Sequence, residues 1–296
     1  MNYSYFKAFC AVARLGNISK AALELDLTQP AVSRIIANLE RDCGTPLFLR
    51  SKTGVTLTEE GQRLYDGVKE PFDALDRFEK DILPNPSKRT VTLYIGATYT
   101  SLITYCFAFL SKAKQNYPSI NIRIHTDSSK NLIEKVEKGL LDFAFITTPF
   151  KPREGIDAIA VMKLDDILIA PKSYEDRFKD PISAKELEDV PLILLNENMQ
   201  FREHIETYFL THGAKVQPVY EADSSSVLLP FVEHDCGLTF IPRELASSSL
   251  AQGKSVEVAL KDPIAPRYIA FIAKKDSHQR GMIQKIQEEI LPKIKR

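Results

Sequence analysis

Thr28, Gln29, Pro30, Ser33, Arg34 and Asn38 fall within the single stretch TQPAVSRIIANLE. Wound as a helix, that stretch gathers Val32, Ile35, Ile36 and Leu39 into one apolar stripe. Gln29, Pro30, Ser33, Arg34, Ala37, Asn38 and Arg41 are left on the opposite face. Donors and acceptors interleaved with small residues suit recognition rather than bond making. An arginine fork matches guanine O6 and N7, a glutamine matches adenine or a phosphate, and a serine serves either. Alanine and proline allow close approach or touch a thymine methyl. A merely solvated helix face is the plain alternative.

No constellation for covalent chemistry accompanies that face. Gly253-Lys254-Ser255 resembles the end of a phosphate-binding loop, but Ser248 stands where the loop needs its first glycine. Neither G-x-S-x-G nor H-E-x-x-H occurs, and His125, His204, His212, His234 and His278 lack metal-ligand spacing. Cys10, Cys43, Cys106 and Cys236 lie far apart without a C-x-x-C pair and read as reduced core thiols. The expectation is a protein that is not an enzyme, with no catalytic residues, metal or cofactor.

The elements that must hold the polar face are short. Phe6, Phe9, Cys10 and Ala13 make one helical stripe, ended by Gly16. Ile18, Ala21, Ala22 and Leu25 repeat the spacing, with Asn17 or Ser19 as cap and small alanines for a close helix crossing. After a tight turn at Asp26-Leu27, Thr28 caps the next helix and Pro30 sits in its first turn, where no hydrogen bond is lost. Two helices joined this way match a helix-turn-helix whose second helix enters the major groove. Leu47 to Arg50 and Val55 to Leu57 read as strands around Ser51-Lys52-Thr53-Gly54, a wing whose Arg50 and Lys52 reach phosphates or the minor groove. Lys7, Arg14, Lys20, Arg34, Arg41, Arg50 and Lys52 outnumber Glu24, Asp26, Glu40 and Asp42, so this head is basic although the 296-residue chain has zero net charge.

The run FCAVARLGNISKAALELDLTQPAVSRIIANLERDCGTPLFLRSKTGVTLTEEG, residues 9 to 61, closely resembles the N-terminal domain of LysR-type transcriptional regulators. Those read A-A-x-x-L-x-x-(S/T)-Q-P-A-(V/L)-S-x-x-I-x-x-L-E, then L-F-x-R and L-T-x-x-G. Asn17, Cys43, Thr45 and Thr53 depart from the commoner residues.

From Thr58, with Glu59 and Glu60 at the positive end of the dipole, a helical pattern runs to about Leu83. Leu64, Val68, Phe72, Leu75, Phe78 and Ile82 form a coiled-coil-like seam, and the resemblance implies that it pairs two subunits into a homodimer or homotetramer. Pro71 inside this helix predicts a kink or break near Asp66 to Gly67. The boundaries expected are residues 1–58 for the winged helix-turn-helix, 59–83 for the linker helix, 84–90 for a Pro-rich hinge and 91–296 for an effector-binding domain. Within the last, subdomain I spans about 91–162 and 267–296, and subdomain II about 163–266.

Residues 91 to 296 alternate strand and helix signals, which predicts parallel α/β units. Strands are expected at 91–95, 120–125, 142–146, 156–161, 166–170, 192–195, 216–221, 238–241 and 268–273, with helices at 101–115, 131–138, 201–212, 225–234 and 279–293. The fold class expected is therefore α/β with an all-α winged head, a long linker helix and a two-subdomain sensor similar to periplasmic binding proteins. In such sheets ligands bind beyond the carboxyl ends of the strands. That rule nominates Thr98, Tyr99, Thr100 and Ser101 after the first strand, Thr126 and Ser128 after the second, and Thr147 and Thr148 after the third. Across the cleft it nominates Asn198, Gln200, Phe201 and Arg202, then Ser224, Ser225 and Ser226. Hydroxyls opening helices suit an anionic or carboxylate effector, with Arg202 as the one obvious countercharge or else the partner in a surface ion pair, although each Ser or Thr also reads as a simple cap.

Hydrophobic residues make up 44% of the chain, enough for sizeable cores, yet the apolar run from Leu102 to Leu110 is far too short for a bilayer. No basic-then-apolar leader opens the sequence. The expectation is a cytoplasmic protein without membrane contact that binds double-stranded promoter DNA and a small effector. A solute-binding protein without DNA readout is the alternative.

Overall fold

The computed structural model describes residues 3–51, 54–82, 91–277 and 279–291, in two compact units, Met1–Arg89 and Thr90–Arg296. In the first, α1 (Tyr3–Leu15), α2 (Ile18–Glu24) and α3 (Gln29–Cys43) close around Phe9, Val12, Ala21, Val32, Ile36 and Leu39, each at most 1% exposed. Burying each larger side chain stabilises the head by about 1.5–3 kcal/mol. Both starts are capped as their residue types dictate: Asn17 Oδ1 accepts from Lys20 N–H (3.0 Å) and Thr28 Oγ1 from Ala31 N–H (3.4 Å). The antiparallel hairpin β1 (Phe48–Ser51) and β2 (Gly54–Leu57) follows. Leu47, expected in the first strand, is instead a core residue at 1% exposure.

Thr58 starts α4 (Glu59–Ile82), its Oγ1 accepting from Gly61 N–H at 2.9 Å. At Gly61 the helix touches the preceding turn so closely that an added Cβ would lie 2.1 Å from the Leu47 carbonyl oxygen. The break expected at Asp66 to Gly67 is absent: both residues lie within one continuous helix. Pro71 and the residue four before it, Gly67, are both exposed, so the Gly67 carbonyl that loses its N–H partner lies on the solvent side of the helix. The expected seam is divided. Leu64, Val68 and Phe72 pack on the head's own core, while Leu75 is 51% exposed. The expected hinge falls outside the described residues.

The second unit runs β3 (Thr92–Ala97), α5 (Tyr99–Ser101), a π-helical segment (Leu102–Cys106), α6 (Phe107–Asn116), β4 (Asn121–Thr126), α7 (Ser129–Glu137), β5 (Phe143–Thr147), β6 (Ile156–Leu164), β7 (Asp166–Pro171), β8 (Leu192–Leu195), α8 (Gln200–Thr211), β9 (Pro218–Ala222), α9 (Leu228–Glu233), β10 (Thr239–Pro242), α10 (Arg243–Ala251), β11 (Ser255–Val258), β12 (Arg267–Lys274) and α11 (Arg280–Glu289). Subdomain I is the sheet β4-β3-β5-β12-β6; subdomain II holds β10-β7-β11 and β8-β9. Asp165 alone separates β6 from β7, so one extended segment leaves the first sheet and joins the second.

The sheets are mixed, correcting the expected parallel architecture. β3 pairs in parallel with β4 and β5, but β12 is antiparallel to both β5 and β6. Parallel neighbours need a crossover within their own layer. β12 arrives from subdomain II and meets the sheet from the other end. β11 and α10 were not expected; β11 is four residues long, and RELASSSLA in α10 has little apolar periodicity. Gly253 sits in the left-handed turn between them (φ 65°), not in a phosphate loop. Cys10 and Cys106 are buried, whereas Cys43 and Cys236 are half-buried, and none of the four lies in a disulfide. Among the described residues no helix is long and apolar enough to cross a membrane.

Candidate functional site

The outer face of α3 is one candidate site. Thr28, Gln29, Pro30 and Arg34 are exposed and Ser33 is half-buried. Gln29, Ser33 and Arg34 make no side-chain hydrogen bond or ion pair with other described residues. Asn38 is engaged within the head: its Nδ2 donates to Tyr5 Oη (3.4 Å) and its Oδ1 accepts from Arg41 (2.6 Å). The Arg50 backbone belongs to β1, but its side chain and all of Lys52 lie outside the described residues. Glu40 Oε1 on α3 accepts from Leu47 and Phe48 N–H (2.9 and 3.1 Å), and Val55 N–H donates to the Gly16 carbonyl (2.9 Å). The hairpin is thereby fixed to the helices at both of its strands.

The second candidate is a cavity of about 980 Å³ in the other unit, within the range of small-molecule sites. It opens at the ends of β3, β4, β5, β8 and β9, beside the starts of the helices that follow β3, β4, β8 and β9. Thr98, Tyr99, Thr100, Thr126, Ser128 and Thr147 line it from subdomain I, and Asn198, Gln200, Phe201 and Ser224 from subdomain II. Several hydroxyls hold the walls in shape. Thr98 Oγ1 caps Ser101 N–H (3.2 Å), Ser128 Oγ caps Asn131 N–H (3.3 Å), and Ser224 and Ser226 hydroxyls lie 2.7 Å apart. At Gly96, leading into the first loop, an added Cβ would sit 2.7–2.9 Å from Leu132, Leu141 and Ala144, so only glycine lets α7 pack there.

Three nominated residues stand outside the cavity. Ser101 is fully buried, with its Oγ 2.7 Å from the Phe145 carbonyl. Thr148 is spent on β12, its Oγ1 accepting from Tyr268 N–H at 2.8 Å. Arg202 is 4% exposed and committed to Glu206 (2.7 Å), Glu221 (2.6 Å) and the Leu195 carbonyl (2.9 Å), so it is no free countercharge. The lining guanidinium is instead Arg267, which lies 3.9 Å over the Phe201 ring and binds Asp166 through two hydrogen bonds of 2.6 Å.

Lys130, Asp223 and Arg267 also line the cavity and were not anticipated. The strand-end rule reaches two of them, since Lys130 and Asp223 immediately extend loops already nominated. Burial raises and hydrogen bonds lower the Asp127 pKa; donors Lys135, Asn131 and Ser128 N–H win, so the carboxyl titrates below its ordinary range. Burial pushes the Cys106 thiol up to about 12, against an opposing Ser101 hydrogen bond, which leaves it protonated and unreactive.

The family model for the bacterial regulatory helix-turn-helix protein of the lysR family matches residues 4–62, and that for the LysR substrate binding domain matches residues 87–293. The transcriptional regulator CzcR of Bacillus anthracis is 27% identical, over 95% of this chain and 95% of its own. BbuR of Bordetella bronchiseptica is 25% identical, over 97% of this chain and 88% of its own. Full-length CbnR complexed with its target DNA has the same fold, at TM-score 0.71 and 18% identity, covering 98% of this chain and 99% of that one.

Proposed function

The chain belongs to the LysR family of bacterial transcriptional regulators, and on that premise we propose that the N-terminal end of α3 reads promoter bases while the cavity of the second unit takes its effector. It is a DNA-binding transcriptional regulator with a C-terminal effector-binding domain. Residues 1–58 serve as the reading head, α4 joins two copies along its seam, where Leu75 is exposed, and residues 91–296 sense the ligand. The observation that carries this reading is the face of Gln29, Ser33 and Arg34, without partners among the described residues and held by caps and by a hairpin fastened to the same helix through Glu40. No catalytic role is assigned, and the site of action is the cytoplasm.

The cavity supports regulation because it lies between two subdomains joined at β6–β7 and at β12. A ligand that contacts both walls favours one arrangement of those walls and shifts the population toward it. The test is selection of duplexes from a random pool by the full-length protein. Enrichment of two half-sites spaced by whole helical turns, with affinity falling steeply as salt rises, supports a dimeric reader. Recovery of sequences no different from the input pool contradicts it.

A further inference from the structure

The two walls of the cavity carry ionised side chains of opposite sign. Subdomain I contributes Lys130 on the first turn of α7, and subdomain II contributes Asp223 directly after β9. Neither makes an ion pair or hydrogen bond with another described residue. The other two ionised lining groups are already neutralised, Asp127 by Lys135 at 2.9 Å and Arg267 by Asp166 at 2.6 Å. A third feature points the same way as Asp223: Gln200 Oε1, on a lining residue, is buried without a hydrogen-bond donor, a state native proteins seldom tolerate.

We infer that the effector is a small zwitterion, an amino acid in chemical class, with its carboxylate toward Lys130 and its ammonium toward Asp223 and Gln200 Oε1. This rests on the reading that the cavity is the effector site, and it narrows the carboxylate expected from the loop hydroxyls. Lys130 and Asp223 are both exposed, so water solvates them when no ligand is bound. A plain carboxylate engages Lys130 alone, a plain amine Asp223 alone, and a sugar neither charge. A zwitterion satisfies one charge on each wall. Its binding thus favours arrangements in which both walls contact it.

The test uses the full-length protein, its thermal midpoint and calorimetric titration. Probes are the twenty L-amino acids, β-alanine, 4-aminobutyrate, glycine betaine, acetate, succinate, glucose and phosphate. For each amino acid that binds, the matched acid lacking the amine and the matched amine lacking the carboxylate are added. The expected result is a raised midpoint with at least one α- or ω-amino acid, and at least tenfold weaker binding of both matched compounds. Asp223→Asn and Lys130→Met each lose tenfold or more, their unliganded midpoints reporting that they are folded. Glycine betaine, which has the charges but no N–H donors, binds more weakly than the amino acid. If a simple carboxylate, amine or sugar binds as tightly as any amino acid and Asp223→Asn does not weaken it, the zwitterion is overturned while the effector cavity stands. If no probe moves the midpoint, both fall.

Discussion

Arg267 and Asp166 form a two-point ion pair, both N–O distances 2.6 Å, with side chains only 3% and 1% exposed. Asp166 is the first residue of β7, where the chain enters subdomain II, and Arg267 the first of β12, where it returns. One buried pair therefore joins the outgoing and returning strands, and its guanidinium also roofs Phe201 in the cavity wall.

Removing one partner strands a buried charge. Arg267→Ala is expected to lower stability by about 3–5 kcal/mol, whereas the apolar double change Arg267→Met with Asp166→Leu costs much less than the sum of its single changes. Denaturant unfolding of the wild type, Arg267→Ala, the two single changes and the double change reads this directly. Additive losses would mean that the pair is not coupled.

Glu40 holds two backbone donors at the start of the wing. Glu40→Ala leaves Leu47 and Phe48 N–H without their acceptor, at an expected cost of about 1–3 kcal/mol, and Glu40→Gln, which keeps an acceptor, costs less. Amide hydrogen exchange at Leu47 and Phe48 should accelerate in the alanine variant. Unchanged exchange would remove Glu40 from this role.

Two glycines in α4 should respond oppositely to the same substitution. Gly61→Ala drives a Cβ to 2.1 Å from the Leu47 carbonyl oxygen and should destabilise the head by about 1–3 kcal/mol. Gly67→Ala meets nothing within 4 Å and should stabilise the helix by roughly 0.5–1 kcal/mol. Thermal midpoints moving in the same direction would contradict the packing described at Gly61.

Burial, with the nearby Arg267 charge, holds the His204 imidazole below its ordinary pKa, outweighing Asp166 and the Ala265 carbonyl. The folded state keeps this group neutral while the unfolded chain takes up its proton near pH 6.5. Its contribution to stability is thus complete above about pH 6.5 and declines as pH falls toward the folded value. Between pH 8 and 5 the midpoint of the wild type should drop more steeply than that of His204→Gln. Parallel profiles would exclude His204 as the cause.

The reading helix was legible because its signals are local. Thr28, Pro30 and the Val32, Ile36, Leu39 stripe act within one segment, and all three mark the helix that forms. The cavity was legible in its loops but not in its charges. Strand ends name Arg202 from its place at the start of a helix, yet its guanidinium turns back to Glu206 one turn on and to Glu221 on a paired strand, a contact that only the folded sheet creates. Arg267 reads as the edge of an apolar strand, RYIAFIA, and gains its meaning from Asp166, a hundred residues away in the chain. The direction of β12 was hidden for the same reason. Nothing in its own residues records from which subdomain it arrives.

The central claim is that α3 reads bases through Arg34, and the measurement that tests it is the affinity of the full-length protein and of Arg34→Ala for a selected duplex and for a random one, at fixed salt. The expected result is a loss of about 1–3 kcal/mol on the selected duplex alone, with affinity for random DNA little changed. Equal losses on both duplexes would make Arg34 a phosphate contact, and no loss on either would contradict the assignment of this face to DNA.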